Sequence, residues 1–221
     1  MSEYGYIPEA PEQSAFNNKG IFTPTDIYNL DQVDKWTQLG QLQHIQTQAT
    51  ATDVSVIDFT AIQEDKYNVH LLLAQGVSST GSAQSTSIRF SHDNGSSFNS
   101  SARYDRALNG QRLSSGLYEE KNSGDTEFQY AFGNDGNSSV YDALGLIWFY
   151  NLGDSSKYSF GNEHSIGYNT GNNNTYCFMG NIAYKDASVV NGIRIYQNGG
   201  TNFRSATGSL SLFGVELAWV G

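Results

Sequence analysis

From about Gln38 onward, apolar residues return at every second position in short runs, and Gly, Asn or Ser cuts each run. A period of two is the geometry of a half-buried strand, because successive side chains point to opposite faces of a sheet. The runs are LGQLQHIQTQ (39–48), DVSVIDFT (53–60), YNVHLLLAQG (67–76), TSIRFSH (86–92) and EFQYAFG (127–133), then ALGLIWFYNL (143–152), TYCFMGNIAYK (175–185), NGIRIYQ (191–197) and GSLSLFGVEL (208–217). The phase slips at Ile57 before Phe59, which predicts a bulge. The stretch near 106–126 reads as loop. Turn dipeptides suited to positive φ punctuate the chain at Asn94-Gly95, Asn109-Gly110, Asp135-Gly136, Asn198-Gly199 and Asn191-Gly192. Eight to ten strands without a repeating unit predict an all-β, two-sheet sandwich, with an eight-stranded jelly roll as the nearest single architecture and a propeller disfavoured. The run 143–152 is apolar on both faces. That predicts a central strand or an oligomer interface through Leu144, Leu146, Trp148 and Tyr150.

Residues 1–37 differ from this body (38–221). They hold Pro8 and Pro11, two of the chain's 3 prolines, among acidic and small polar residues. They also contain one helix start. Thr23 is placed to cap, Pro24 suits the first helical position, and Asp26 stands where a capping box has its acid. The segment reads as an extended anchoring arm with a short helix, and Ile21, Phe22, Ile27, Tyr28 and Trp36 are its candidate apolar anchors. The helix either docks on a partner or folds back on its own domain.

The formal net charge is −10, from 22 acidic and 12 basic residues, and no Lys/Arg cluster offsets it. Such a surface repels phosphate backbones and anionic membranes, so neither nucleic acid nor membrane is an expected partner. No basic n-region with an apolar stretch opens the sequence, so no signal peptide is expected, and no apolar run is long enough to span a bilayer. Synthesis in a cytoplasm follows. The single cysteine, Cys177, has no intrachain partner and lies in a strand pattern, which reads as a structural thiol.

Chemistry-bearing patterns are sparse. SHDNGSSF (91–98) fits an Asp box, in which Ser91 and Phe98 bracket a turn and Asp93 accepts its backbone hydrogen bonds; such boxes brace β-proteins, including sialidases, away from their active sites. Here it occurs once. The four histidines (His44, His70, His92, His164) lack metal-ligand spacing, and no cofactor motif is present. Glu119 with Glu120, or Asp154 with Glu163, supply the residue types of a glycoside hydrolase, a reaction that needs two carboxylates at a fixed separation in a cleft. Tyr104, Tyr118, Tyr141, Tyr158 and Tyr168 lie in predicted loops beside Asn and Asp, a composition suited to glycan contact and to a carbohydrate-binding module for host surface glycans.

The stretches NNKGIFTPTDIYNLDQVDKW, IDFTAIQEDKYNVHLLL, SIRFSHDNGSSF and NGIRIYQNGGTNFRSATGSLSLFGVEL resemble segments of virion structural proteins of tailed bacteriophages, marine ones especially. The resemblance covers most of the chain. It departs at NFRSATGSLSLFG, where Phe213 stands in place of a common Tyr. It implies a non-enzymatic tail fibre, appendage or capsid decoration at the virion surface, with a jelly-roll-like body. It also implies an arm that binds other virion proteins and a symmetric homo-oligomer, a trimer by analogy with sandwich domains on phage fibres.

Overall fold

The computed structural model describes residues 23–32, 42–81, 84–114, 116–135, 142–169, 173–205 and 208–215. The chain divides into two compact units, one of Met1–Gln41 with Ala218–Gly221 and one of Leu42–Leu217.

In the first unit, α1 (Pro24–Gln32) starts on the predicted capping box. The Thr23 amide donates to Asp26 Oδ2 at 2.8 Å, and the Asp26 amide donates to Thr23 Oγ1 at 3.2 Å. The Thr23 hydroxyl, the largest influence, holds the Asp26 carboxyl below its ordinary pKa together with the Thr23 amide. Tyr28 is exposed and Ile27 half-buried; the other proposed anchors, Ile21, Phe22 and Trp36, lie outside the described residues.

The second unit is a sandwich of two antiparallel sheets. Its strands are β1 (Leu42–Ala49), β2 (Val56–Phe59), β3 (Val69–Val77), β4 (Gln84–Ser91), β5 (Tyr104–Arg112), β6 (Gly116–Asp125), β7 (Phe128–Asp135), β8 (Ala143–Tyr150), β9 (Ser159–Asn169), β10 (Asn174–Tyr184), β11 (Gly192–Gln197) and β12 (Ser209–Val215). The large sheet runs β1-β12-β3-β8-β9-β10-β5-β6 and the small one β2-β11-β4-β7. The core between them is aromatic. Phe90 meets Phe128, Phe149 and Tyr184 edge-to-face at centroid distances of 5.2–5.5 Å, and Tyr104 packs at 4.8 Å from both Phe128 and Tyr184. Such pairs place ring edges on ring faces and add to the burial of apolar area.

Three strands exceed the sequence expectation, because β5, β6 and β9 are strands where no run was predicted. The stretch read as loop near 106–126 is largely the β5–β6 hairpin, whose Asn, Gly and Ser belong to strands at a sheet edge. Asn109-Gly110 is accordingly no turn: it lies within β5, and a Cβ on Gly110 would sit 2.3 Å from the Tyr118 ring. Asn191-Gly192 leads into β11 instead of turning, whereas Asn94-Gly95 (φ 54° and 83°) adopts the expected left-handed pair. At Asn198-Gly199 only the glycine does (φ 87°), followed by Gly200 (φ 74°), and Gly136 of Asp135-Gly136 lies outside the described residues. No bulge occurs within β2, which pairs with β11 in unbroken register. The phase slip arises because Val54 belongs to a separate bridge with Phe203.

Candidate interaction surface

The outer face of the large sheet is the most unusual surface of the sandwich unit. On β8, Ala143, Ile147 and Phe149 point into the core, which turns Leu144, Leu146, Trp148 and Tyr150 outward. All four residues proposed for an oligomer contact therefore share one face of a central strand. The pairing register extends them into cross-strand rows: Leu73–Leu146–His164–Met179 in one and Leu144–Ile166–Cys177 in the next. Toward the other end, Leu71 lies beside Trp148 and Phe213, and Tyr150 beside Phe160. Leu144 is 48 % exposed, Ile166 47 %, Phe160 47 % and Met179 53 %.

Among the described residues, no outward position of β12, β3, β8, β9 or β10 is Asp, Glu, Lys or Arg. In a chain with 34 charged residues (22 acidic plus 12 basic), five adjacent strands without a charged residue on their outer face are a segregated surface. A groove of about 450 Å³ crosses it, lined by Leu73, Leu144, Leu146, His164 and Ile166. It opens beside the irregularity between Ala74 and Val77, where Gly76 takes φ 64° and β3 loses regular register with β8.

The sequence runs missed β9 because its amphipathy is inverted. Its inward residues are Ser159, Gly161, Glu163, Ser165, Gly167 and Asn169, and its outward ones include Phe160, His164 and Ile166. The inward stripe is small because neighbouring side chains lean over it: a Cβ on Gly161 would lie 2.7 Å from Ile182 and 3.2 Å from Phe149. The period-two alternation was present in SFGNEHSIGYN, and reading its phase required knowing which face met the core.

Glu163 is the exception within that stripe. Its carboxyl is buried, accepts a 2.8 Å hydrogen bond from Ser165 Oγ through Oε1, and has no partner at Oε2. Burial pushes its pKa up to about 8. Asp154, by contrast, lies in an exposed turn with its carboxylate held by Ser156 and Lys157. The two carboxylates share no cleft. Glu119 and Glu120 are consecutive on β6 and so point to opposite faces, with Glu119 paired to Lys121 at 2.8 Å.

The proposed glycan-contact tyrosines do not converge. Tyr104 is fully buried on β5, not in a loop, and its hydroxyl donates to the Asn99 carbonyl at 2.8 Å. Tyr118 packs on the core with the Arg112 guanidinium 3.9 Å from its ring centroid. Tyr158 precedes β9 and Tyr168 lies near its far end, roughly 33 Å apart along an extended strand. Tyr141 lies outside the described residues.

The small sheet turns a different surface outward. Asp58, Arg194 and Arg89 form a cross-strand row, which Glu127 completes. Arg194 binds Asp58 through two parallel bonds of 2.8 and 2.7 Å and stacks 4.0 Å from the Phe98 ring centroid. Arg89 pairs with Glu127 at 2.9 Å, and that buried carboxylate also accepts from Ser87, Gln129, Asn198 and the Tyr196 hydroxyl. The Asp box braces this face. Ser91 Oγ accepts from the Gly95 amide at 2.8 Å, and Asp93 accepts from the Ser97 amide and hydroxyl. Those Ser97 bonds, with Ser91, hold the Asp93 carboxyl down at about 2. The motif thus presents Phe98 to Arg194, a structural duty.

Among the described residues, no group of three or more His, Cys, Asp or Glu is placed to hold a metal ion, and no helix is long and apolar enough to cross a membrane. No protein family, curated protein or solved structure matches this chain.

Proposed function

We propose that the protein is a non-enzymatic structural component of a tailed-phage virion, a tail fibre, appendage or capsid decoration whose β-sandwich works within an assembly at the particle surface. The observation that carries the assembly role is the charge-free apolar face on the large sheet. Interface centres are depleted of charge and enriched in aromatic residues and Met, and Trp148, Tyr150, Phe160 and Met179 have that character. The sequence resemblance supplies the virion address. The N-terminal segment, 1–37, would join the sandwich to other virion proteins through its apolar residues, and copies of the sandwich would associate with one another.

Mass spectrometry and electron microscopy of purified phage particles test this reading. The chain should be present at a fixed copy number and map to a surface projection or a capsid position. A version lacking residues 1–37 should fold, by circular dichroism, yet fail to enter particles. Absence of the full chain from particles of a phage that expresses it would refute the virion role.

A further inference from the structure

We propose that the outer face of β12, β3, β8, β9 and β10 is a self-docking surface on which a second copy of this chain packs sheet to sheet about a two-fold axis. This deepens the assembly reading above and rests on it.

Charge selects a second copy as the occupant. Two molecules of net charge −10 repel each other over most of their surfaces, and this face is where no described side chain carries like charge to the contact. The area is sufficient. Five strands at about 4.8 Å spacing and eight residues at about 3.3 Å rise cover on the order of 600 Å² in projection. Side-chain relief raises that toward the roughly 800 Å² per partner of a standard interface. The exposed Leu144, Ile166, Phe160 and Met179 side chains stand above the sheet, and the groove beside Leu73 and Leu146 offers a recess for partner side chains.

The position of the patch selects the symmetry. A two-fold contact is isologous, so one contiguous patch serves both partners. A three-fold ring instead joins one flank of the sheet to the opposite flank of its neighbour, which would need apolar outward positions along both flanks. Here the β5–β6 flank exposes Leu113 and Leu117, but its outward positions also carry the Glu119–Lys121 pair and Asp105 bound to Lys185 at 2.8 Å, so no continuous apolar row runs along it. The apolar rows lie centrally, on either side of the hydrogen-bonded Asn162–Asn181 pair that follows Trp148, where a facing sheet about 10 Å away covers them.

Sedimentation velocity and light scattering on the full chain at micromolar concentration test this. The expected particle is a dimer of the 24.2 kDa chain. Ile166→Lys and Leu144→Lys, both at solvent-exposed outward positions, should each weaken it about 100-fold or more. Their far-UV circular dichroism should match the parent's. Val56→Lys, on the outer face of the small sheet, should leave the dimer intact. A trimer that either face variant dissociates keeps the face but overturns the two-fold arrangement. A dimer indifferent to both face variants overturns the face. A monomer overturns self-docking, whatever else covers those strands, while the virion role stands or falls on the particle experiment alone.

Discussion

Across the outer face of the small sheet, a carboxylate, two guanidinium groups and another carboxylate follow one another from Asp58 through Arg194 and Arg89 to Glu127, each anion paired with a neighbouring cation. Across the outer face of the large sheet, the equivalent positions hold Leu73, Leu146, His164 and Met179. Both faces belong to antiparallel sheets that cover one core, and an antiparallel sheet commonly turns its second face to water. The small sheet does so with ion pairs through its centre, whereas the large sheet keeps its ion pairs to the β5–β6 flank. The large sheet exposes the kind of side chains that normally line a core, and the difference separates a face built for solvent from one built for another surface.

Truncation on the two faces has different consequences. The largest effect is expected from Glu127→Ala, which leaves Arg89, Tyr196 and Asn198 without their shared acceptor and should lower stability by about 3–4 kcal/mol in denaturant unfolding. A loss below about 1 kcal/mol would mean that the ionic row does not hold the small face together.

Beneath the apolar face, Glu163→Gln should raise stability by about 3 kcal/mol at pH 7 and leave it unchanged near pH 4. The sign follows from the direction of the shift. With a folded pKa of about 8 against an ordinary 4.5, the fold favours the protonated carboxyl. Its stability is therefore greatest below pH 4.5 and is lost as pH rises toward 8. His70 acts in the opposite sense: burial, partly offset by its 2.8 Å bond to the Ile62 carbonyl, lowers its pKa to about 4, so stability falls as pH drops from 6.5 toward 4. Between pH 4.5 and 6.5 the two opposing slopes nearly cancel and above 6.5 the Glu163 slope stands alone, so in unfolding measured across this range Glu163→Gln should remove the alkaline fall and uncover the acid-side fall due to His70.

A smaller loss, roughly 1 kcal/mol, is expected for Arg194→Ala, since its bidentate pair with Asp58 is about one-third exposed and partly screened. Smallest of all, Ile166→Ser should change the unfolding free energy measured at submicromolar protein, where subunits are separate, by less than about 0.5 kcal/mol while lowering self-association. A large loss of stability there would place Ile166 among the core residues and dissolve the contrast between the faces.

Several elements were legible in the sequence for local reasons. The capping box at Thr23 and Asp26 closed as its spacing required, because both partners lie within one helical turn. The turn at Asn94-Gly95 and the Asp box around Asp93 formed because their hydrogen bonds span only a few residues. Within β8, alternation over Leu144, Leu146, Trp148 and Tyr150 was enough to give them one face. The hairpin β5–β6 was illegible because an edge strand with few neighbours carries the polar and glycine content of a loop. Tyr104 misled for the opposite reason: surrounded in sequence by Arg103 and Asp105, it is enclosed in space by Phe90, Phe128 and Tyr184.

The sequence by itself determined that this chain is built from antiparallel strands, because period-two alternation and turn residues act over a few positions. It also determined that β8 has apolar residues on both sides. Only the tertiary structure decided which of those sides faces the core, how β9 is phased, and that Leu73, Ile166 and Met179 join the β8 residues on one face. That decision depends on register between strands up to about a hundred residues apart, which local preferences do not specify.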